Sequence, residues 1–329
     1  MHNSTAFTII TQNAAIRELL RTIDKIAVSD YSVLLVGETG VGKEIFAEYI
    51  HQMSNRFQKP LIKIGLSSLP SELMISELFG HEKGSFTSAS SFKKGLFEVA
   101  NEGSIFLDDI DDVSYDIQSK LLRVLESHEI MRVGGTQTIP INIRLISASK
   151  VDLKKMVEQK LFRADLFYRI NVVPIEIPAL RYRSEDVPLL MEHFFRKFVP
   201  EKKLTISKEA MDALVKYEWP GNVRELRNIA QRLSLINENV IGIENLPKEI
   251  IGISCDVTKT SSCASCFKLD HMPYKEVMHC VEIQIFEEAM RMASGNQTEA
   301  ARILGLSLST FRDRLKKLNE NQNFAVESN

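Results

Sequence analysis

The sequence predicts an α/β protein: a parallel sheet with helices on both faces, then a smaller helical domain and a helical C-terminal segment. Three observations predict it. The stretch SVLLVGETGVGKEIFAEYIHQM runs from a β-branched apolar strand through a glycine-rich turn into an amphipathic helix. A second apolar strand, Ser104–Leu107, ends at two consecutive acids, Asp108 and Asp109. Strand patterns alternate with helical ones as far as PIEIPALR and then stop. Such alternation is the signature of parallel strands joined through helices.

The elements follow in order. Ala15–Ile26 repeats its apolar residues at helical spacing, and so does Ile117–Glu126. A third strand pattern covers Ile141–Ala148 (INIRLISA). Beyond it, Ser184–Val199, Ser207–Tyr217 and Val223–Asn237 read as helices of a separate small domain. From Pro247 to about His271 the chain reads as a linker, with Gly252 and the run TKTSSCASC, and Tyr274–Leu318 is helical again. The expected boundaries are 1–178 for the α/β core, 179–246 for a helical lid, 247–273 for the linker and 274–329 for a terminal module.

A chain of 329 residues suits two or three domains. With 44% hydrophobic and 26% charged residues and a net charge of −2, it reads as an ordinary globular protein whose basic regions, if any, are local. No apolar run approaches the roughly 18 residues that span a bilayer, and the N-terminus has no basic-then-apolar secretory pattern. The expectation is a cytoplasmic protein with no membrane partner.

GETGVGKE, Gly37–Glu44, fits G-x-x-x-x-G-K between a strand and a helix. Glycines let backbone N–H groups curl around a phosphate at the helix N-terminus, while Lys43 reaches the β and γ oxygens. Gly37, Glu38, Thr39, Gly40, Val41, Gly42, Lys43 and Glu44 are therefore candidates for ATP binding. Glu44 is irregular, since Ser or Thr usually stands there to reach Mg²⁺. SIFLDDI supplies the other half: Asp108 is placed for Mg²⁺ and Asp109 for the attacking water.

GETGVGKE, ELFGHEKGSFTSA, GSIFLDDI, KLLRVLESHEIMRVGG, FRADLFYRINVVPI, LRYRSEDVPLL and YEWPGNVREL occur in this order. Together they resemble the AAA+ domain of the bacterial enhancer-binding proteins, the sigma-54-dependent transcriptional activators. The resemblance covers about Ile9–Leu246 and extends to the C-terminal helices. It implies an AAA+ P-loop ATPase core with a helical lid, and it accounts for Glu44, because the family carries Glu after the P-loop lysine. It also implies that Arg163 and Arg169 reach a neighbouring subunit's site, in an oligomer from dimer to hexamer, and that Arg224 senses nucleotide from the lid.

The sequence departs from the family at several positions. Asp109 stands where the family has Glu, one methylene longer. Lys150, in SASK, stands where a polar amide senses the γ-phosphate. The loop at 84–89 reads GSFTSA in place of GAFTGA. In the family this loop grips the sigma factor, which would make Phe86 an anchor buried only against the partner, with Thr87 beside it. The alternative is that Phe86 packs back on its own domain. The resemblance also implies a chain without the N-terminal receiver or ligand-binding domain of most relatives, so that control falls to a regulatory protein in trans, to expression level or to a later segment.

GNQTEAARILGLSLSTFRDRLKKL has helix-turn-helix spacing, with Gly305 at the turn and the small Ala300 and Ala301 permitting a close crossing. Four cations and one anion lie between Phe311 and Leu318, the local charge that phosphate contact requires. The pattern is similar to the family's Fis-type module, with Ser309, Thr310, Arg312, Asp313 and Lys316 as the candidate face for double-stranded DNA. Cys255, Cys263, Cys266 and Cys280 all lie in or beside the linker. They offer soft ligands for zinc or iron, or are plain thiols. The function implied is ATP-dependent remodelling of the sigma-54 RNA polymerase holoenzyme from an upstream DNA site. The alternative is a nucleotide-gated DNA-binding regulator or repressor with weak ATPase activity.

Overall fold

Asn13 starts the first helix, α1 (Ala14–Ala27), by accepting the free Ile16 N–H on its side-chain oxygen at 3.0 Å. The computed structural model describes residues 9–68, 70–85, 91–236, 239–251, 274–293 and 295–315, with the backbone alone at 71, 72, 274–281 and 284. Phe86, Thr87, Cys255, Cys263, Cys266, Lys316 and the Cys280 side chain lie outside the described residues.

Strand β1 (Val33–Val36) leads through the glycine loop to α2 (Lys43–Gln52), and β2 (Leu61–Gly65) and α3 (Ser71–Phe79) follow. Two short antiparallel strands, β3 (Gly80–His81) and β4 (Lys93–Lys94), bracket the stretch that carries Phe86. One helical turn, α4 (Leu96–Val99), precedes β5 (Ser104–Asp108). Then come α5 (Tyr115–Ser127), the hairpin of β6 (Glu129–Met131) and β7 (Thr138–Pro140), and β8 (Arg144–Ser149). Helices α6 (Leu153–Glu158) and α7 (Ala164–Ile170) and strand β9 (Val173–Glu176) close the core.

The main sheet has the order β2-β5-β8-β1-β9, every pair parallel. Side chains alternate across it. Leu34, Ile105, Leu107 and Leu145 face a cluster with Ile117, Leu121, Leu166 and Ile170. Val33, Leu35, Phe106, Ile146 and Ala148 face the opposite cluster with Ile16, Ile23, Phe46 and Ile50. Both faces are covered, and near-continuous apolar strands follow from that. The parallel arrangement brings the C-terminal ends of β5, β8 and β1 side by side, the edge at which open α/β sheets bind ligands.

The third strand starts three residues later than its apolar pattern suggests. Asn142 is held sideways: its N–H donates to Asn101 Oδ1 at 2.7 Å, and its carbonyl accepts from Glu102 N at 2.7 Å. These bonds keep it out of the ladder.

The lid comprises α8 (Asp186–Phe198), β10 (Thr205–Ile206), α9 (Lys208–Lys216), α10 (Asn222–Ser234) and β11 (Val240–Ile241). Trp219 is its buried centre, and the indole N–H donates to Leu214 O at 2.9 Å. Chain contacts divide the protein into Met1–Leu246 and Pro247–Asn329. The second unit contains the turn α11 (Lys248–Ile251), α12 (Tyr274–Met292), α13 (Gln297–Ile303) and α14 (residues 308–315). Phe286 stacks on Phe311 at 4.9 Å between ring centres, with Ala300 and Ala301 buried beside them. No described helix is long and apolar enough to cross a membrane.

Candidate active site

The glycine loop is shaped by two residues that need positive φ, Gly40 at +82° and Gly42 at +106°. A Cβ on Gly40 would also meet the Gly221 carbonyl oxygen at 2.3 Å, so the lid packs directly on the loop. Gly42 opens α2, with Lys43 as its first residue. The Lys43 ammonium is nearly buried and folds back onto the loop, donating to Gly37 O at 2.7 Å and Glu38 O at 3.2 Å. Burial pushes its pKa down, while Asp108, Asp109 and Asp111 oppose that shift.

Asp108 ends β5, where desolvation and the adjacent Asp109 push its carboxyl above the usual range. Its Oδ1 accepts the Asp109 N–H at 3.0 Å. Asp109 itself adopts the left-handed conformation, φ 54° and ψ 47°, which Asp tolerates better than most residues. Its Oδ2 accepts the Ser67 hydroxyl at 2.6 Å. Glu44 is turned to Lys63, whose ammonium lies 2.7 Å from it and also pairs with Glu48.

Three side chains fasten the lid to the loop. Asn222 donates to Glu38 Oε2 and Thr39 O, both at 3.1 Å, and accepts Leu180 N at 2.7 Å. Arg181 pairs with Glu38 at 2.9 Å, and with Asn222 it holds the Glu38 carboxyl down at about 2. Arg183 Nη2, buried, donates to Val41 O at 2.7 Å. The Glu38 side chain and the Val41 carbonyl are therefore engaged by the lid, and it is the backbone of these residues that shapes the loop.

Core and lid enclose a cavity of about 500 Å³. Thr39, Gly40, Gly42, Lys43, Glu44, Asp108, Asp109 and Arg224, all singled out from the sequence, line it together with Lys150. His193, Lys197 and Arg227 line it too, and the sequence reading passed over them. Arg227 follows Arg224 by three residues on α10, a spacing that puts both on one helix face. Arg163 and Arg169 are not among its lining residues. Arg163 pairs with Asp165 at 2.7 Å and donates to Ser119 at 3.0 Å, while Arg169 donates to Leu125 O at 2.6 Å.

The base of the 82–92 stretch is tied to the β6–β7 hairpin. Arg132 pairs with Glu82 at 2.9 Å and with Glu98 at 2.7 Å, and its guanidinium lies 4.5 Å from the centre of the Phe92 ring. The Glu82 N–H donates to Val133 O at 3.0 Å.

In the C-terminal unit Asn296 caps α13, accepting Thr298 N at 3.0 Å, and Ser307 caps α14, accepting Thr310 N at 3.1 Å. Ser309, Thr310, Arg312 and Asp313 are all exposed on α14. Arg312 donates to Gln297 at 3.1 Å and Arg314 pairs with Glu282 at 2.7 Å. No group of three or more His, Cys, Asp or Glu side chains placed to hold a metal occurs among the described residues.

A lid hydrogen-bonded to the phosphate loop makes this an AAA+ ATPase fold, and residues 181–261 match the AAA+ ATPase lid domain. The chain belongs to the sigma-54-dependent transcriptional activators: residues 9–176 match the Sigma-54 interaction domain and residues 280–318 the bacterial regulatory protein, Fis family. It is 42% identical over 321 residues to the DNA-binding transcriptional activator HyfR of Escherichia coli K12, spanning 94% of this chain but 47% of HyfR. It is 41% identical to the regulatory protein AtoC of the same organism and 38% identical to the transcriptional regulator NtrC of Azospirillum brasilense. The match covers 94% of this chain in both cases, with 67% of AtoC and 69% of NtrC. The chain thus spans about half of one of these curated relatives and about two thirds of the others. Among solved structures, NtrX from Brucella abortus in complex with ATP is similar at 30% identity with a TM-score of 0.68, over 94% of this chain and 69% of that one.

Proposed function

We propose that this chain hydrolyses ATP in the cavity between core and lid and uses the cycle to remodel sigma-54 RNA polymerase at promoters. The observation that carries the reading is the convergence of Lys43, Asp108, Asp109 and Arg224 on one cavity in a chain of this family. Backbone N–H groups of the glycine loop take the phosphates at the start of α2. Lys43 exchanges its two loop carbonyls for phosphate oxygens. Asp109, oriented by Ser67, polarises the attacking water. Arg224 approaches from the lid.

The donor set fits Mg²⁺. Asp108 is a desolvated carboxylate whose protonation is favoured by a neighbouring acid, and such a group is relieved by a hard cation held through oxygen. Bound Mg²⁺ would neutralise charge on the β and γ oxygens. Asp108 would hold it, and Glu44 would not be its first ligand while it pairs with Lys63.

Arg163 and Arg169 line no part of their own subunit's cavity, which suits a role in a neighbouring subunit of a ring, up to a hexamer. On joining it they leave Asp165 and Leu125 O. The exposed residues of α14, with Lys316, read upstream DNA, and Phe86 and Thr87 contact sigma-54. The test is open-complex formation by purified sigma-54 holoenzyme on a sigma-54 promoter. It should require this protein and hydrolysable ATP, and Lys43→Ala should abolish it. Nucleotide binding and DNA binding with no opening would favour the nucleotide-gated regulator instead.

A further inference from the structure

We propose that Asp186 is a positioning residue for the phosphate loop: it ties the segment ahead of α1 to the lid and, through Arg183, keeps the loop shaped for phosphate. The proposal rests on the reading of the cavity as an ATP site. It adds Thr11, Arg183 and Asp186, none of which is among the residues lining that cavity.

Asp186 opens α8 and is fully buried. A buried carboxylate is tolerated only where hydrogen bonds and an opposite charge satisfy it. Residues 11–13 supply the hydrogen bonds. The Thr11 hydroxyl donates to Oδ2 at 2.8 Å, and the Gln12 and Asn13 N–H groups donate to Oδ1 at 2.7 and 3.1 Å. Asn13 also donates its side-chain amide to Glu185 Oε1 at 2.7 Å while its oxygen caps α1. Helix α1 packs into the core cluster through Ile16 and Ile23. The donors therefore belong to the core and the acceptor to the lid.

Arg183 supplies the opposite charge. It is buried, its Nε has no hydrogen-bond partner, and its Nη2 donates to Val41 O at 2.7 Å. Burial pushes its pKa down, and the charge of Asp186 opposes that shift. An unpaired buried charge is strongly unfavourable, so without Asp186 the guanidinium would be drawn toward water and off Val41. The bond to Val41 matters because it fixes a peptide plane. In a trans peptide the carbonyl and the following N–H point to opposite sides, and the Val41–Gly42 bond is trans. With the Val41 carbonyl held by the lid, the Gly42 N–H is turned the other way, on a residue that lines the cavity. The Gly40 carbonyl is held from the lid as well, accepting the Val223 and Arg224 N–H groups at 3.0 and 3.3 Å. A lid that tilts on the core therefore re-aims the N–H groups of the loop.

The test measures equilibrium binding of ADP and of a non-hydrolysable ATP analogue, each with Mg²⁺, to the full chain. Variants are Asp186→Asn, Thr11→Val, Thr11→Ser, Arg183→Met and the double variant Arg183→Met/Asp186→Asn, with thermal unfolding to verify that each is folded. Asp186→Asn keeps an acceptor for residues 11–13 but removes the charge facing Arg183. It should weaken both nucleotides alike, by roughly 10-fold, the scale of one charge-assisted hydrogen bond to a phosphate. Thr11→Val leaves both buried charges in place and serves even if Asp186→Asn does not fold. It should weaken both nucleotides about 3-fold, the scale of one neutral hydrogen bond, and Thr11→Ser should restore them. Because Asp186 acts through Arg183, Asp186→Asn should add less than about 2-fold in a chain that already carries Arg183→Met, the non-additivity of coupled residues. Parental affinity in Asp186→Asn or Thr11→Val, or losses that simply add in the double variant, would overturn the proposal while leaving the ATP site intact. Failure of the unmodified protein to bind either nucleotide would overturn the site reading, and this proposal with it.

Discussion

The Ser67 hydroxyl donates to Asp109 Oδ2 at 2.6 Å, joining the segment after β2 to the acid that follows β5. One carboxylate oxygen is thereby fixed on a residue that lines the cavity. An Asp side chain is one methylene shorter than a Glu, so the orientation of the Asp109 carboxylate matters more. Ser67→Ala should lower kcat about 10-fold with KM little changed, the pattern of an interaction made mainly in the transition state. Steady-state ATPase kinetics check it, and an unchanged kcat would make the hydroxyl incidental.

Arg132 gathers three neighbours at the base of the 82–92 stretch, and it holds the Glu98 carboxyl below the usual range. The Glu98 side chain is only 8% exposed, so removing the arginine leaves a poorly solvated charge behind. Arg132→Ala should destabilise the core by about 1–3 kcal/mol, read from urea unfolding. Arg132→Lys should recover only part, because a lysine cannot make the paired contact to one carboxylate. A variant as stable as the parent would show the cluster to be surface decoration.

What the sequence made legible was local. The glycine loop and the acid pair are written in consecutive residues with strand and helix flanks, and both stand where expected. Ser67, Arg181 and Asn222 were not visible, because they meet Asp109 and Glu38 from 42, 143 and 184 residues away. Strand β2 escaped notice for a related reason. It is short, sits at the sheet edge, and carries Lys63, so its pattern is that of a half-exposed segment. The engagement of Arg163 and Arg169 within their own chain also had no sequence signal, since either arginine reads the same whether paired or free.

His51 is buried, with its ring nitrogens 2.9 Å from Ser104 Oγ and 3.1 Å from Lys59 O. Burial pushes its pKa below the ordinary 6.5, with Arg144 acting in the same direction and the Lys59 carbonyl against it. A depressed folded value means that the unfolded chain takes up the proton first. Stability should therefore be fully present above about pH 6.5 and fall as the pH drops toward the folded value, by at most about 1.4 kcal/mol per pH unit from this group. His193, also depressed by burial, adds to the same trend. Urea unfolding at pH 7.5 and 5.5 should show the loss, and His51→Gln should reduce it. An identical pH slope in the variant would assign the effect elsewhere.

Assembly can be tested by mixing inactive subunits. Lys43→Ala lacks the phosphate lysine and Arg169→Ala the arginine offered to a neighbour. Each alone should be nearly inactive, and the mixture should regain measurable ATPase activity, because some interfaces then pair an intact site with an intact arginine. No recovery at any ratio would remove Arg169 from the neighbouring site.

The coupling of turnover to sigma-54 is tested most directly by Phe86→Ala. ATPase rate and open-complex formation would be measured on one preparation with sigma-54 holoenzyme and a sigma-54 promoter. The ring, read as an anchor for the partner, should matter to the partner alone. The account predicts an ATPase rate close to that of the parent and no open complexes. Open complexes formed at the parental rate would contradict it, as the hydrolysis cycle would then act on polymerase by some route other than this loop.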